Sequence, residues 1–189
     1  GKDYLKNAIT TVKQLMKKDG IQWPGAKKSE RPFPKQYKPE IDSTRLLDGD
    51  GLGRYQQLIG ILRWAVELGR VDICLEVSLL SSFLCMPREG HLNAAYNVFA
   101  YLDKHLDANL VFDDIYPLID TSVFKKTDWS ETYYGPPGEE IPHNMPEPRG
   151  NPVVISCFGD ANHAGDLVTR KSQTGIFIHI NNALVIWFS

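Results

Sequence analysis

Near its C-terminus the chain carries "FGDANHAGD", which sets Asp160, Asn162, His163 and Asp166 in close succession. Asp160 follows the apolar run Val153–Phe158, so a strand is expected to present its carboxylate at an exposed end. A carboxylate held this way can be one ligand of a divalent-metal nuclease, in which two ions grip the attacking and leaving oxygens of a phosphodiester. Such a site needs several acids converging from different elements, and a single Asp does not make one. The plainer role of Asp160, Asn162 and Asp166 is to cap turns, as Asp and Asn most often do in loops. His163 and His179 invite a metal site with Asp166, but D-x-x-H-x-x-D is no established ligand spacing. Asp113-Asp114 has the composition of a metal-holding acid pair. That pair requires a tight hairpin between strands, whereas this one follows a helical pattern, so it is expected to be solvated. No G-x-S-x-G, Walker loop or dinucleotide fingerprint is present.

Charge adds a second candidate. Residues 1–38 hold ten basic side chains against three acids, a net +7, which leaves −9 for the rest of a chain whose total is −2. A basic end on an acidic body suits a phosphate-bearing partner, or docking of one end on the other. Lys6, Lys13 and Lys17 lie in that basic end. Cys74, Cys85 and Cys157 are odd in number and lack C-x-x-C spacing, as expected of small buried residues in a reducing compartment. No apolar run approaches membrane-span length, and "GKDYLKNAIT" lacks a signal-peptide layout. The expectation is an intracellular, non-secreted chain with no membrane partner.

The elements that would position these groups follow from periodicity. Tyr4, Leu5, Ala8, Ile9, Val12, Leu15 and Met16 recur at three- and four-residue spacing, which predicts an amphipathic helix over residues 2–18, ended by Gly20. Pro24, Pro32, Pro34 and Pro39 predict a surface crossing over 21–53. "YQQLIGILRWAVELGR" resumes the helical pattern. "VDICLEVSLLSSFLCM" is almost continuously apolar and is expected to be buried. After Pro87, "EGHLNAAYNVFAYLDKHL" predicts another helix. Residues 117–150 form an acidic, Pro-rich connector with Trp129, Tyr133 and Tyr134 as aromatic anchors. The period then changes to two, predicting strands at Val153–Phe158, Thr174–Ile180 and Ala183–Phe188, with Asn181-Asn182 as the hairpin turn. Helices first and a β-meander last make the fold class α+β, with units 1–116 and 151–189.

Three blocks carry a family resemblance: "YLKNAITTVKQLM", "RYQQLIGILRWAVELGRVDICLEVSLLSSFLCMPREGHLNAAYNVFAYL" and "FGDANHAGDLVTRKSQTGIFIHINNALVIWFS". In type and order they resemble the polyprotein of a copia-type LTR retrotransposon, over nearly the whole chain. The resemblance implies that the helical part is the thumb/connection region of a reverse transcriptase, and that the tail opens a ribonuclease H domain as an incomplete antiparallel meander. It implies that Asp160 is the first catalytic, magnesium-binding Asp, and that Arg170, Lys171, Ser172 and Gly175 frame the loop and hairpin behind it. Asn162 departs from the second Asp usual in the family, and His163 from a common aromatic.

The resemblance also implies a partner, an RNA–DNA hybrid or template–primer duplex, with Lys6, Lys13 and Lys17 following its phosphates, and association with the rest of the polyprotein. Magnesium would belong to the parent polymerase and nuclease. With most catalytic residues expected before Gly1 and after Ser189, the segment alone is expected to be inactive and to hold no cofactor tightly. The rival expectation is a degenerate or domesticated retroelement segment that binds nucleic acid or protein. A third, from another class, is a helical adaptor whose basic end binds an acidic partner.

Overall fold

The computed structural model describes residues 1–24, 30–118, 120–123, 142–147 and 149–189. Four helices, α1 (Lys2–Lys18), α2 (Gly49–Glu67), α3 (Cys74–Ser81) and α4 (Glu89–Lys104), precede three strands, β1 (Ile155–Ala161), β2 (Thr174–Ile180) and β3 (Ala183–Phe188). The fold is α+β, as the change of period predicts.

Leu5, Ile9, Val12 and Met16 form the buried stripe of α1, which packs along α4. Beyond its end Gly20 takes φ +68°, and the Ile21 N–H donates back to Met16 O at 2.9 Å. This left-handed stop is the one expected of Gly. The second helix starts at Gly49, six residues before the apolar pattern does. The reason is Asp48, whose Oδ1 accepts the Gly51 N–H at 2.8 Å and so caps a first turn poor in apolar residues. Asp48→Ala is expected to cost about 1 kcal/mol, read as a shift in the denaturant midpoint at unchanged slope.

The "VDICLEVSLLSSFLCM" stretch is less buried than its composition predicts. It breaks into a short 3-10 turn (Val71–Ile73) and the eight-residue α3. Ile73, Val77 and Leu80 are buried, while Leu75 and Met86 stay 47% and 71% exposed. A helix this short, packed on one side by α2 and α4, covers one face only.

The Pro-rich crossing proves to be a fastened strap. Asn97 on α4 donates its amide to Arg31 O and Pro32 O at 3.0 and 2.8 Å. The buried His91 ring accepts the Arg88 N–H at Nδ1 (3.0 Å) and meets Pro39 O at Nε2 (2.9 Å), which sets the Nε2–H tautomer. Tyr55, wholly buried, donates to Leu80 O at 2.7 Å. The core thus sits among α1, α2, α3 and α4. The connector anchors Trp129, Tyr133 and Tyr134 lie outside the described residues.

The sheet is a meander in the order β1-β2-β3, both pairs antiparallel. Strands β2 and β3 fall where alternation predicts. The first strand is displaced, running Ile155–Ala161 instead of Val153–Phe158. Asp160 is therefore inside the strand, next to its last residue and opposite Gly175, not beyond its end. Asn181 takes φ +54° in the two-residue turn. Phe177 and Trp187 pair across β2 and β3, and Trp187 packs against the helical core. The opposite face carries Ile155, Ile186 and Phe188, which are 68%, 52% and 61% exposed.

Candidate functional site

Strand pairing fixes the Asp160 backbone, and its Oδ1 accepts the adjacent Ala161 N–H at 2.8 Å. The carboxylate is exposed at one end of the sheet. The following loop holds itself shut. The Asn162 N–H donates to Gln173 O at 3.1 Å, and Asn162 Oδ1 accepts the Gln173 N–H at 2.7 Å. A side chain at Gly165 would collide with the Asn162 amide, which explains a glycine there. Asp166 Oδ1 accepts the Val168 and Thr169 N–H groups at 2.8 and 2.7 Å. The Thr169 backbone bond holds the Asp166 carboxyl below its ordinary value. The Ser172 hydroxyl accepts the Ala164 N–H at 3.1 Å, while Arg170 takes φ +57°.

These contacts separate the acids. Asn162 and Asp166 cap and clasp the loop, while among the described residues the exposed Asp160 carboxylate bonds only the neighbouring Ala161 N–H. Among the described residues, no three His, Cys, Asp or Glu side chains gather to hold a metal ion. His163 is exposed away from any such group. Gln173 completes the positioning and was not legible as a site residue. Its amide reaches Ser78 of α3 and Ser189, both at 3.1 Å, tying the loop end to the helical unit.

Asp113-Asp114 helps clasp the hairpin turn. Asp113 Oδ1 accepts the Ile115 N–H at 3.0 Å, and the Asn181 amide donates to Asp114 O at 2.9 Å. The Asn182 N–H bonds Ile115 O at 3.2 Å, so residues 113–115 grip the hairpin turn.

Lys6, Lys13 and Lys17 line one exposed edge of α1, beside its buried stripe. They are not equivalent. Lys13 Nζ lies 2.7 Å from Asp103 Oδ2 and 5.0 Å from the Trp23 ring centroid, so its charge is already used. Lys2, on the same edge, pairs with Asp107 and holds that carboxyl below its ordinary value. Among the described residues Lys6 and Lys17 enter no ion pair. The edge therefore offers two uncommitted charges and two that acids on the α4 side already engage.

Comparison with known proteins adds one finding. Over 48 residues the chain is 48% identical to the transposon Ty5-1 protein of Saccharomyces cerevisiae. That stretch is transposon-like. It covers 25% of this chain and 16% of the yeast protein. No family model matches the chain, and no solved structure does. The similarity supports a transposon origin for the stretch it covers.

Proposed function

We propose that the chain is a segment of a copia-type retrotransposon polyprotein. In this reading residues 1–116 belong to the thumb/connection of a reverse transcriptase, and 151–189 are the opening strands of its ribonuclease H domain. The helical unit would hold an RNA–DNA hybrid or template–primer duplex by its phosphates, and Asp160 would supply one of the nuclease carboxylates. The observation that carries the reading is the placement of Asp160, with its carboxylate exposed, on the first strand of an antiparallel meander. The transposon similarity supports the origin. Asn162 keeps an acceptor oxygen on the Gln173 N–H, the same service an Asp would give.

Among the described residues no group of acids makes a magnesium site. One carboxylate cannot bracket two ions, so Asp160 would need further acids to join it. The pure 189-residue chain is accordingly expected neither to extend a primer nor to cut an RNA–DNA hybrid in magnesium, and Asp160→Asn is expected to change nothing. Hybrid cleavage by the pure chain that Asp160→Asn abolishes would overturn this reading.

A further inference from the structure

Strand β1 is one edge of the sheet, and among the described residues nothing pairs with its outer side. Two bonds fix which of its groups face outward. Val154 O accepts the Asn181 N–H at 2.7 Å, and the Asn162 N–H donates to Gln173 O at 3.1 Å, both toward β2. In an antiparallel ladder alternate residues turn their N–H and C=O to opposite sides. Ile155, Cys157, Gly159 and Ala161 therefore aim theirs away from β2. This edge is unobstructed: Ile155 is 68% exposed, Cys157 is exposed, and a Cβ added at Gly159 would meet nothing within 4 Å. Proteins commonly blunt such edges with Pro, Lys, a bulge or a covering element. Strand β1 has no Pro or Lys and pairs with β2 without a register break. Among the described residues only its Ala161 N–H is engaged on that side, by the Asp160 carboxylate.

We propose that this edge pairs with the same edge of a second copy, β1 antiparallel to β1 about a two-fold axis at Phe158. A single register brings all 7 residues of the strand together. Cys157 and Gly159 exchange backbone bonds across the axis, and Ile155 and Ala161 do so at the ends, so one symmetric operation satisfies every outward N–H and C=O. For Ala161 the new bond replaces the one to Asp160. Phe158 meets its twin in a close, non-hydrogen-bonded position, and Ser156 stands opposite Asp160, whose freed carboxylate can accept the hydroxyl. Asp160 is the one charge on the strand, so no like charges oppose each other, and the lack of Lys and Arg disfavours a phosphate-bearing partner there. The helical unit joins the sheet at the opposite edge, through Trp187 of β3. A 7-residue strand is about 23 Å long, which falls short of the roughly 800 Å² per partner of a standard interface, so pairing is weak and concentration-dependent. It leaves the face of Ile155, Ile186 and Phe188 open, and it is independent of the nucleic-acid reading.

The test is sedimentation velocity of the full chain from micromolar concentration to about 1 mM, with a thiol reductant to exclude coupling through the exposed Cys85 and Cys157. The weight-average mass is expected to rise with concentration and to level off at two chains. Gly159→Pro removes an outward N–H that β2 does not use, a change an edge strand tolerates, and should weaken association about tenfold. Phe158→Glu and Phe158→Lys each set like charges opposite one another at the axis, so either variant alone should associate more weakly than the unaltered chain. An equimolar mixture of the two should recover association, because opposite charges then meet. Gly159→Pro decides the matter should the Phe158 variants not fold. The proposal is overturned by a monomer at every concentration, which leaves the edge to a foreign strand or to none, or by growth beyond two chains, which indicates stacking through the open face. Undiminished association in Gly159→Pro, or a mixture no better than its components, overturns it equally.

Discussion

Leu62→Ala is expected to destabilise the helical unit by about 2–5 kcal/mol, the usual cost of emptying a fully enclosed leucine site. Leu62, in the second half of α2, has no exposed surface and belongs to the one core that also holds Leu58, Ile59, Val77, Val98 and Leu102. That core draws side chains from all four helices, each held by its own packing, so a void in it closes only by moving helices against one another. For a unit of this size the change should lower the melting temperature by roughly 10 °C or more, read by circular dichroism at 222 nm. The matching truncation on the open face of the sheet, Ile186→Ala, should cost under about 1 kcal/mol, because Ile186 is already 52% exposed. Equal losses at the two sites would mean that the sheet's open face is covered in solution.

Amide hydrogen exchange should divide the chain just as sharply. Every fully buried apolar side chain among the described residues belongs to the helical unit, and the sheet joins that core chiefly through the partly buried Trp187. Opening the meander therefore sacrifices little apolar burial, whereas opening α2 or α4 sacrifices most of it. Amides of β1, β2 and β3 are expected to exchange orders of magnitude faster than those of Tyr55–Val66 and Ala94–Leu102. Protection in β2 equal to that in α2 would contradict the description of the sheet as an uncovered unit. The exposed Ile155, Ile186 and Phe188 make the same sheet a place for aggregation or pairing with another chain.

Period alone disclosed the helices, the hairpin and its Asn181-Asn182 turn, because each depends on residues close in sequence. What escaped it depends on contacts made at long range. The apolar run Val71–Met86 looked wholly buried, since sequence does not show that α3 has neighbours on one side only. The Pro-rich strap looked like a loose crossing, because its fastenings, Asn97 to Arg31 and His91 to Pro39, join residues more than fifty apart. Asp160 was legible as an acid on a strand, and its loop neighbours as turn caps. The engagement of Lys13 by Asp103 was not, because only the packing of α1 on α4 brings them together.

The lysine edge of α1 is where the nucleic-acid reading is most exposed to test. Phosphate contacts release counterions, so affinity falls with salt at a log–log slope of about −0.9 per contact. Lys6 and Lys17 are free of ion pairs among the described residues and should carry most of that slope, while Lys13 must first leave Asp103. The decisive measurement is fluorescence anisotropy of a labelled RNA–DNA hybrid titrated with the full chain at several salt concentrations. The account predicts weak, sequence-tolerant binding whose slope flattens by about 1.8 in the Lys6→Gln, Lys17→Gln double variant, and changes less in Lys13→Gln. No binding at low salt, or a double variant with the slope of the unaltered chain, would contradict it.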